Sequence, residues 1–190
     1  MNASTHTRSH LSRRVGALLA SGAALLATCA LVPATASATA DCMGYAANVS
    51  ATAGADYIVG RPGVVDVVAA LGGDDVYVDD GAPEGDIVCL GDGNDQLTTA
   101  NNNNSGSDRI NGGPGNDVIA GFEGNDTIQG NDGDDQIFGN DGDDTLDGGP
   151  ANDYIVGNVG NDTVIGSGGT YDQCFGEFNF MGCEYVAFGG

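Results

Sequence analysis

The chain has 190 residues, 33 of them glycine, and 27 acidic side chains stand against 5 basic ones, for a formal net charge of −22. Such a composition excludes an ordinary mixed α/β enzyme and points to a repetitive, turn-rich chain. A polyanion this strong is repelled by nucleic acid and by anionic lipid, and it concentrates small hard cations instead.

Charge is unevenly placed along the chain. Arg8, Arg13 and Arg14 precede residue 15, and every acid follows residue 40. Arg13-Arg14 leads into an apolar stretch from Val15 to Val32 and then into small residues ending Ala38-Thr39-Ala40. This order of basic, apolar and small residues predicts a secretory signal peptide over 1–40, cleaved after Ala40. The apolar part is interrupted by Gly and Ser and is short for a membrane-spanning helix. Leu26-Ala27-Thr28-Cys29 is a weak alternative, a lipidation site at Cys29. Cleavage would leave residues 41–190 with Arg61 and Arg109 as the only bases, a net charge of 2 − 27 = −25. His6 and His10 depart with the leader, which removes Ser-His-Asp, Cys-His and imidazole-metal chemistry together.

Residues 41–50 read as an N-terminal cap segment, and from Ala51 the chain falls into units of nine. The frame is clearest from Asn103 to Ile165, where seven nonapeptides follow one another without interruption: NNSGSDRIN, GGPGNDVIA, GFEGNDTIQ, GNDGDDQIF, GNDGDDTLD, GGPANDYIV and GNVGNDTVI. Position 6 is always Asp (Asp108, Asp117, Asp126, Asp135, Asp144, Asp153, Asp162) and position 8 always a branched aliphatic. Position 4 is Gly in six of the seven, Ala151 being the exception. Over 51–102 the frame holds in five degenerate units starting at Ala51, Arg61, Ala70, Gly81 and Leu90, once insertions at Gly60, Asp79-Asp80 and Thr99 to Asn102 are allowed. Their sixth residues are Asp56, Asp66, Asp75, Asp86 and Asp95, and their eighth Ile58, Val68, Tyr77, Val88 and Leu97.

Glycine at positions 1 and 4 permits the positive φ angles of a tight turn, which position 5 Asn or Asp also tolerates. The residues after it, x-aliphatic-x, form a very short strand with one inward side chain. A single unit buries almost nothing, so units must stack, with their aliphatics in one narrow ladder. Stacking brings position-6 carboxylates from successive coils together, and that repulsion calls for a cation between the turns. Carboxylate and carbonyl oxygens on a flexible turn suit Ca²⁺ better than Mg²⁺.

These units resemble the repeats-in-toxin (RTX, haemolysin-type) calcium-binding nonapeptide, G-G-x-G-x-D-x-aliphatic-x, of which GGPGNDVIA at Gly112 is a full match. The resemblance implies an all-β, right-handed parallel β-roll (a β-solenoid) with two nonapeptides per coil. It also implies several Ca²⁺ ions between turns, ligated by turn carbonyls and by the Asp carboxylates from Asp108 to Asp162, and less securely by those from Asp56 to Asp95. Many family members carry the repeats beside a protease, lipase or toxin domain. No such companion is recognisable here, so the chain is similar to stand-alone secreted repeat proteins.

Two units per coil sort the outward strand positions onto two faces. One carries Arg109, Asn111, Thr127, Gln129, Thr145, Asp147, Thr163 and Ile165. The other carries Val118, Ala120, Gln136, Phe138, Tyr154 and Val156, and is the more apolar, a candidate surface for a protein or cell-envelope partner. After residue 165 aromatics gather, and 166–190 reads as a C-terminal cap covering the last open strands. Cys42, Cys89, Cys174 and Cys183 allow three pairings. Cys174 and Cys183 occupy successive eighth positions, so the expected set is Cys174–Cys183 as a staple of the cap and Cys42–Cys89 tying down the N-terminal segment.

The function these features predict is non-enzymatic: a secreted, extracellular calcium-binding protein whose β-roll is ordered by Ca²⁺, serving as a structural, adhesive or cell-envelope module. A hydrolase with an Asp/Glu pair is the alternative from another class. The acids outside the turn positions (Asp79, Asp80, Glu123, Glu177, Glu184) form no recognisable constellation for it. The Thr127, Thr145, Thr163 ladder gives thin support to an ice-binding solenoid.

Overall fold

The computed structural model describes residues 41–81, 83–100, 105–176, 179–183 and 185–188. The predicted signal peptide over 1–40, Cys29 within it, Glu177 and Glu184 lie outside the described residues.

Among the described residues the chain is all β. A short antiparallel pair, β1 (Asp41–Cys42) with β2 (Tyr45–Ala46), precedes the stack. Then strands alternate between two parallel sheets of eight. One sheet is built from β3 (Val49–Ser50), β5 (Val67–Ala69), β7 (Ile87–Cys89), β9 (Arg109–Asn111), β11 (Thr127–Gln129), β13 (Thr145–Asp147), β15 (Thr163–Ile165) and β17 (Phe180–Met181). The other is built from β4 (Tyr57–Val59), β6 (Val76–Asp79), β8 (Gln96–Thr99), β10 (Val118–Glu123), β12 (Gln136–Asp141), β14 (Tyr154–Val159), β16 (Gln173–Gly176) and β18 (Tyr185–Phe188). Each nonapeptide supplies one strand, and two make a coil: a parallel β-solenoid.

Register follows the repeat frame. In the regular region Ile119 pairs with Ile137 and Ile137 with Ile155, while Ile110, Ile128, Leu146 and Val164 align on the other side. Coils there are 18 residues apart, and earlier coils are 19, 20 or 22 apart. The excess equals the length of the insertions at Gly60, Asp79-Asp80 and Thr99 to Asn102 and position 8 keeps its place, but Asp79 and Thr99 themselves pair within β6 and β8.

The core is the double ladder of eighth residues. Val68, Tyr77, Ile110, Ile119, Ile128, Ile137, Leu146, Ile155, Val164 and Cys174 are each 0% exposed, and Ile58, Val88 and Leu97 join them. Each such side chain contributes about 1.5 to 3 kcal/mol of burial, and the ladder is only one residue wide per strand. Alternation fixes which residues can belong to it: their neighbours at positions 7 and 9 point outward.

The turns differ from the sequence expectation in one respect. Left-handed backbone occurs at positions 2 and 4, not 1 and 4: Gly113 and Gly115 have φ of +110° and +139°. Asn131, Asn140 and Asn158 take φ of +75°, +77° and +69° at position 2 without glycine, and Ala151 takes +90° at position 4. Asn is among the few residues that adopt this region readily. Position 1 needs glycine for a different reason, which the metal centre makes clear.

Both expected disulfides form. Cys42–Cys89 has Cα atoms 5.6 Å apart and Cys174–Cys183 6.0 Å, inside the range a disulfide bridges without backbone movement. Beyond the last regular unit, β16, β17 and β18 extend both sheets.

Candidate metal centre

The sixth residue of each unit ends a turn just before its strand, and its side chain folds back into the stack. Asp75, Asp95, Asp117, Asp126, Asp135, Asp144 and Asp153 are each at most 2% exposed. Asp108 and Asp162 are equally buried, and Asp172, in the degenerate unit after the regular run, is 0% exposed.

From Asp75 and Asp86 onward, one carboxylate oxygen has the same kind of partner, the N–H of the Asp one coil earlier. The N–H of Asp108 donates to Asp126 Oδ1 at 2.8 Å, that of Asp126 to Asp144 Oδ1 at 2.8 Å, and that of Asp144 to Asp162 Oδ1 at 3.0 Å. On the opposite edge Asp117 donates to Asp135 at 2.8 Å, Asp135 to Asp153 at 2.9 Å, and Asp153 to Asp172 at 3.0 Å. The first half continues both columns, Asp56 to Asp75, Asp95 and Asp117, and Asp66 to Asp86 and Asp108. Each Asp after Asp56 and Asp66 therefore caps the main chain of the coil before it, and two continuous ladders run along the roll.

The other oxygen is treated differently. Oδ2 of Asp75, Asp95, Asp117, Asp126, Asp135, Asp144 and Asp153 is buried with no hydrogen-bond donor. Leaving one such charged oxygen unsatisfied costs several kcal/mol or forces a proton onto it. Burial pushes the carboxyls of Asp117, Asp135, Asp144 and Asp153 up to about 7 and those of Asp75 and Asp126 up to about 6. The N–H bond to Oδ1 opposes that rise, and neighbouring carboxylates add to it.

Glycine at position 1 marks where Oδ2 points. A Cβ on Gly112 would run into Asp117 Oδ2 and stand 2.8 Å from the carbonyl oxygen of Gly130 in the next coil. A Cβ on Gly121 would meet Asp126 Oδ2 and the Gly139 carbonyl at 3.0 Å, and one on Gly139 would meet Asp144 Oδ2 and the Gly157 carbonyl at 2.9 Å. The bare Cα thus keeps open a cradle lined by an anionic oxygen and a main-chain carbonyl, a hard, oxygen-only donor set that fits Ca²⁺. Among the described residues no three Asp, Glu, Cys or His side chains converge on one point, so main-chain oxygens must supply most ligands of an ion held here.

The five Asp of the degenerate units divide. Asp75 and Asp95 follow the pattern of the regular run. Asp66 instead accepts the Arg61 N–H at Oδ2 (2.7 Å) and the Arg61 Nε–H at Oδ1 (2.7 Å), with the guanidinium completing an ion pair. Asp86 Oδ2 accepts the hydroxyl of the fully buried Tyr77 at 2.9 Å. Burial pushes Asp86 up to about 6, although the Asp66 N–H and the Tyr77 hydroxyl hold it down. Asp56 is only half-buried, and its Oδ2 accepts the Thr52 N–H at 2.8 Å and hydroxyl at 2.7 Å.

A second ladder escaped the sequence reading. The side-chain oxygen of position 5 accepts the position-5 N–H of the next coil: Asn94 from Asn116, Asn116 from Asp134, Asp134 from Asn152, and on the other edge Asn125 from Asp143 and Asp143 from Asn161. Its signal was present, since position 5 is Asn or Asp in six of the seven regular units. Those residues were read only as turn formers.

Residues 102–137, 120–155 and 138–170 match the RTX calcium-binding nonapeptide repeat in four copies. RTX nonapeptides bind Ca²⁺ at multiple sites and form a structural, non-catalytic module. No curated protein matches the chain significantly.

Proposed function

We propose that this chain is an extracellular calcium-binding protein whose RTX roll is ordered by Ca²⁺, and that it acts as a structural, adhesive or cell-envelope module rather than as an enzyme. The observation that carries this reading is the register of buried, donor-less Oδ2 atoms along both edges of the roll. Asp75, Asp95, Asp117, Asp126, Asp135, Asp144 and Asp153 are the proposed carboxylate ligands, with Asp108 and Asp162 at equivalent positions. Turn carbonyls such as that of Gly130 complete the set. Bound Ca²⁺ would supply the positive charge that the aliphatic ladder alone cannot, and Asp Oδ1 would go on capping the preceding coil.

Secretion rests on the leader-like residues 1–40 and agrees with two disulfides, which persist in oxidising compartments. A millimolar extracellular Ca²⁺ supply fills sites of about 0.1 to 1 mM affinity. Val118, Ala120, Phe138, Tyr154 and Val156 share the outer face of one sheet, where Phe138 and Tyr154 rings lie 6.0 Å apart and Tyr154 and Phe175 rings 5.1 Å apart. That face is the proposed contact surface for a protein or envelope partner.

Far-UV circular dichroism of the chelated, disulfide-intact protein during titration with Ca²⁺, and separately with Mg²⁺, tests the proposal. A sigmoidal gain of β signal with Ca²⁺ alone supports it. A full β spectrum before any ion is added, unchanged by Ca²⁺, defeats it.

A further inference from the structure

Position 1 is glycine in six of the seven regular units, but in the degenerate units it is Ala51, Arg61, Ala70, Gly81 and Leu90. Where glycine keeps a cradle open beside Asp Oδ2, Ala70 and Leu90 place fully buried side chains that belong to the apolar core. Before Asp66 that place is held by Gly60, where a Cβ would stand 2.9 Å from the Tyr77 hydroxyl and 3.5 Å from Asp66 Oδ2, and the residue that follows it is Arg61. Its main-chain N–H and side-chain Nε–H each lie 2.7 Å from the Asp66 carboxylate, one on each oxygen, and Asp66 is 0% exposed. One coil further along the same edge, Asp86 Oδ2 is held by the Tyr77 hydroxyl. Tyr77 fills an eighth position, and it is the largest side chain of the core ladder, the one eighth residue there that ends in a hydrogen-bond donor.

We propose that Arg61, with its main-chain N–H on Asp66 Oδ2 and its guanidinium on Oδ1, and the Tyr77 hydroxyl on Asp86 Oδ2 take the place of calcium at the Asp66–Asp86 end of this column, so that this edge of the first coils closes without ion while Asp75 and Asp95 on the opposite edge keep an open Oδ2. The inference rests on the calcium-dependent reading of the regular units. Its physical basis is that a buried turn carboxylate needs positive charge or a donor on each oxygen, and the chain supplies these from its own main-chain and side-chain groups. A buried carboxylate paired through a planar fork and a main-chain N–H meets that need. Cys42–Cys89 ties β1 to β7 across this same segment. Strands β5 and β7 are then a preformed edge against which calcium-dependent coils pair strand by strand, which lowers the cost of nucleating a solenoid whose units are individually unstable. Assembly on rising Ca²⁺ would run from this end toward the C-terminus.

Amide hydrogen exchange of the disulfide-bonded chain, read by mass spectrometry with chelator and with saturating Ca²⁺, tests this. In chelator, peptides covering β5 and β7 should exchange at least about tenfold more slowly than those covering β11 and β13. Arg61→Gly removes the guanidinium and keeps the main-chain N–H on Oδ2. It should abolish the ion-free protection of β5 and β7, and Ca²⁺ should bring that protection back. Tyr77→Phe, which keeps the ring in the core, should lower protection of β7 in chelator by a smaller factor. Equal exchange of β5, β7, β11 and β13 in the chelated native chain would overturn the proposal. So would an Arg61→Gly chain protected as well as the native one in chelator, or one unprotected even with Ca²⁺. If instead β11 and β13 are protected equally with and without Ca²⁺, the calcium-dependent reading of the regular units is what falls, and this inference with it.

Discussion

The units before residue 99 and those after 105 build the same coil but solve its electrostatic problem in two ways. In the regular run, glycine at position 1 leaves Oδ2 facing a carbonyl of the next coil, and the buried carboxyls rise toward neutral pH. In the degenerate units Arg61, Tyr77 and Thr52 supply donors to three of the five carboxylates. The difference teaches that degeneracy of a repeat is not mere decay. Three carboxylates of the first half find donors within the chain, whereas Asp75 and Asp95 keep an open Oδ2 like the regular run.

The sharpest way to break that contrast is to remove the cross-link that belongs to one half. Replacing Cys42 and Cys89 by Ala frees a loop with a sequence separation of 47 and should cost about 4 kcal/mol, against about 2.7 for Cys174–Cys183 with its separation of 9. Denaturant unfolding in saturating Ca²⁺ measures both, and a larger loss at the C-terminal bridge would contradict the N-terminal segment as the independent half. Next in size are the carboxylates. Asp135→Ala should raise the Ca²⁺ concentration for half-folding by about tenfold, a loss of about 1.4 kcal/mol, while Asp56→Ala should shift it less than about twofold. Equal or reversed shifts would dissolve the distinction. Gly130→Ala belongs with Asp135→Ala, since its Cβ would meet Asp135 Oδ2 and lie 2.5 Å from the Gly148 carbonyl oxygen.

Acidity sharpens the comparison further. Carboxyls raised to about 7 in the ion-free roll stabilise it fully below about pH 4, the unfolded value, and lose that contribution as pH climbs through 7. Chelated protein should therefore hold more β structure at pH 5 than at pH 8, whereas Ca²⁺ should bind more weakly at pH 5 because protons compete for the same oxygens. Circular dichroism at both pH values with and without Ca²⁺ reads the crossing; a chelated chain more ordered at pH 8 would refute it. The smallest effect is expected on the outer face, where Tyr154→Ala removes two ring contacts and should cost about 1 kcal/mol of thermal stability in the Ca²⁺-loaded protein. A loss several times larger would mean that the face is integral to the fold rather than available to a partner.

Much of this was legible in the residues. A nine-residue frame with Asp at position 6 and an aliphatic at position 8 dictated one short strand per unit, the core ladder and the stacking of carboxylates, because alternation leaves one inward side chain per strand, while the RTX resemblance implied two units per coil. Even the insertions at Gly60, Asp79-Asp80 and Thr99 to Asn102 could be placed, since the pairing of eighth residues tolerates no other register. What composition and period could not give was the division of labour within each carboxylate, Oδ1 to an N–H of the preceding coil and Oδ2 to the cradle. That division exists only between residues 18 to 22 apart in sequence.

The sequence by itself determined the repeat, the burial of position 8 and an oxygen-only donor set suited to Ca²⁺, because each follows from local periodicity and residue chemistry, and the resemblance of its units to RTX nonapeptides implied the β-roll. Tertiary structure alone decided that glycine at position 1 serves close approach rather than backbone turning, and that Asn at position 2 can carry the left-handed turn instead. It also decided that Arg61 and Tyr77, separated by a full coil of chain, answer neighbouring carboxylates on one edge. Stacking fixes these contacts, and their partners are brought together only when successive coils lie one strand spacing apart.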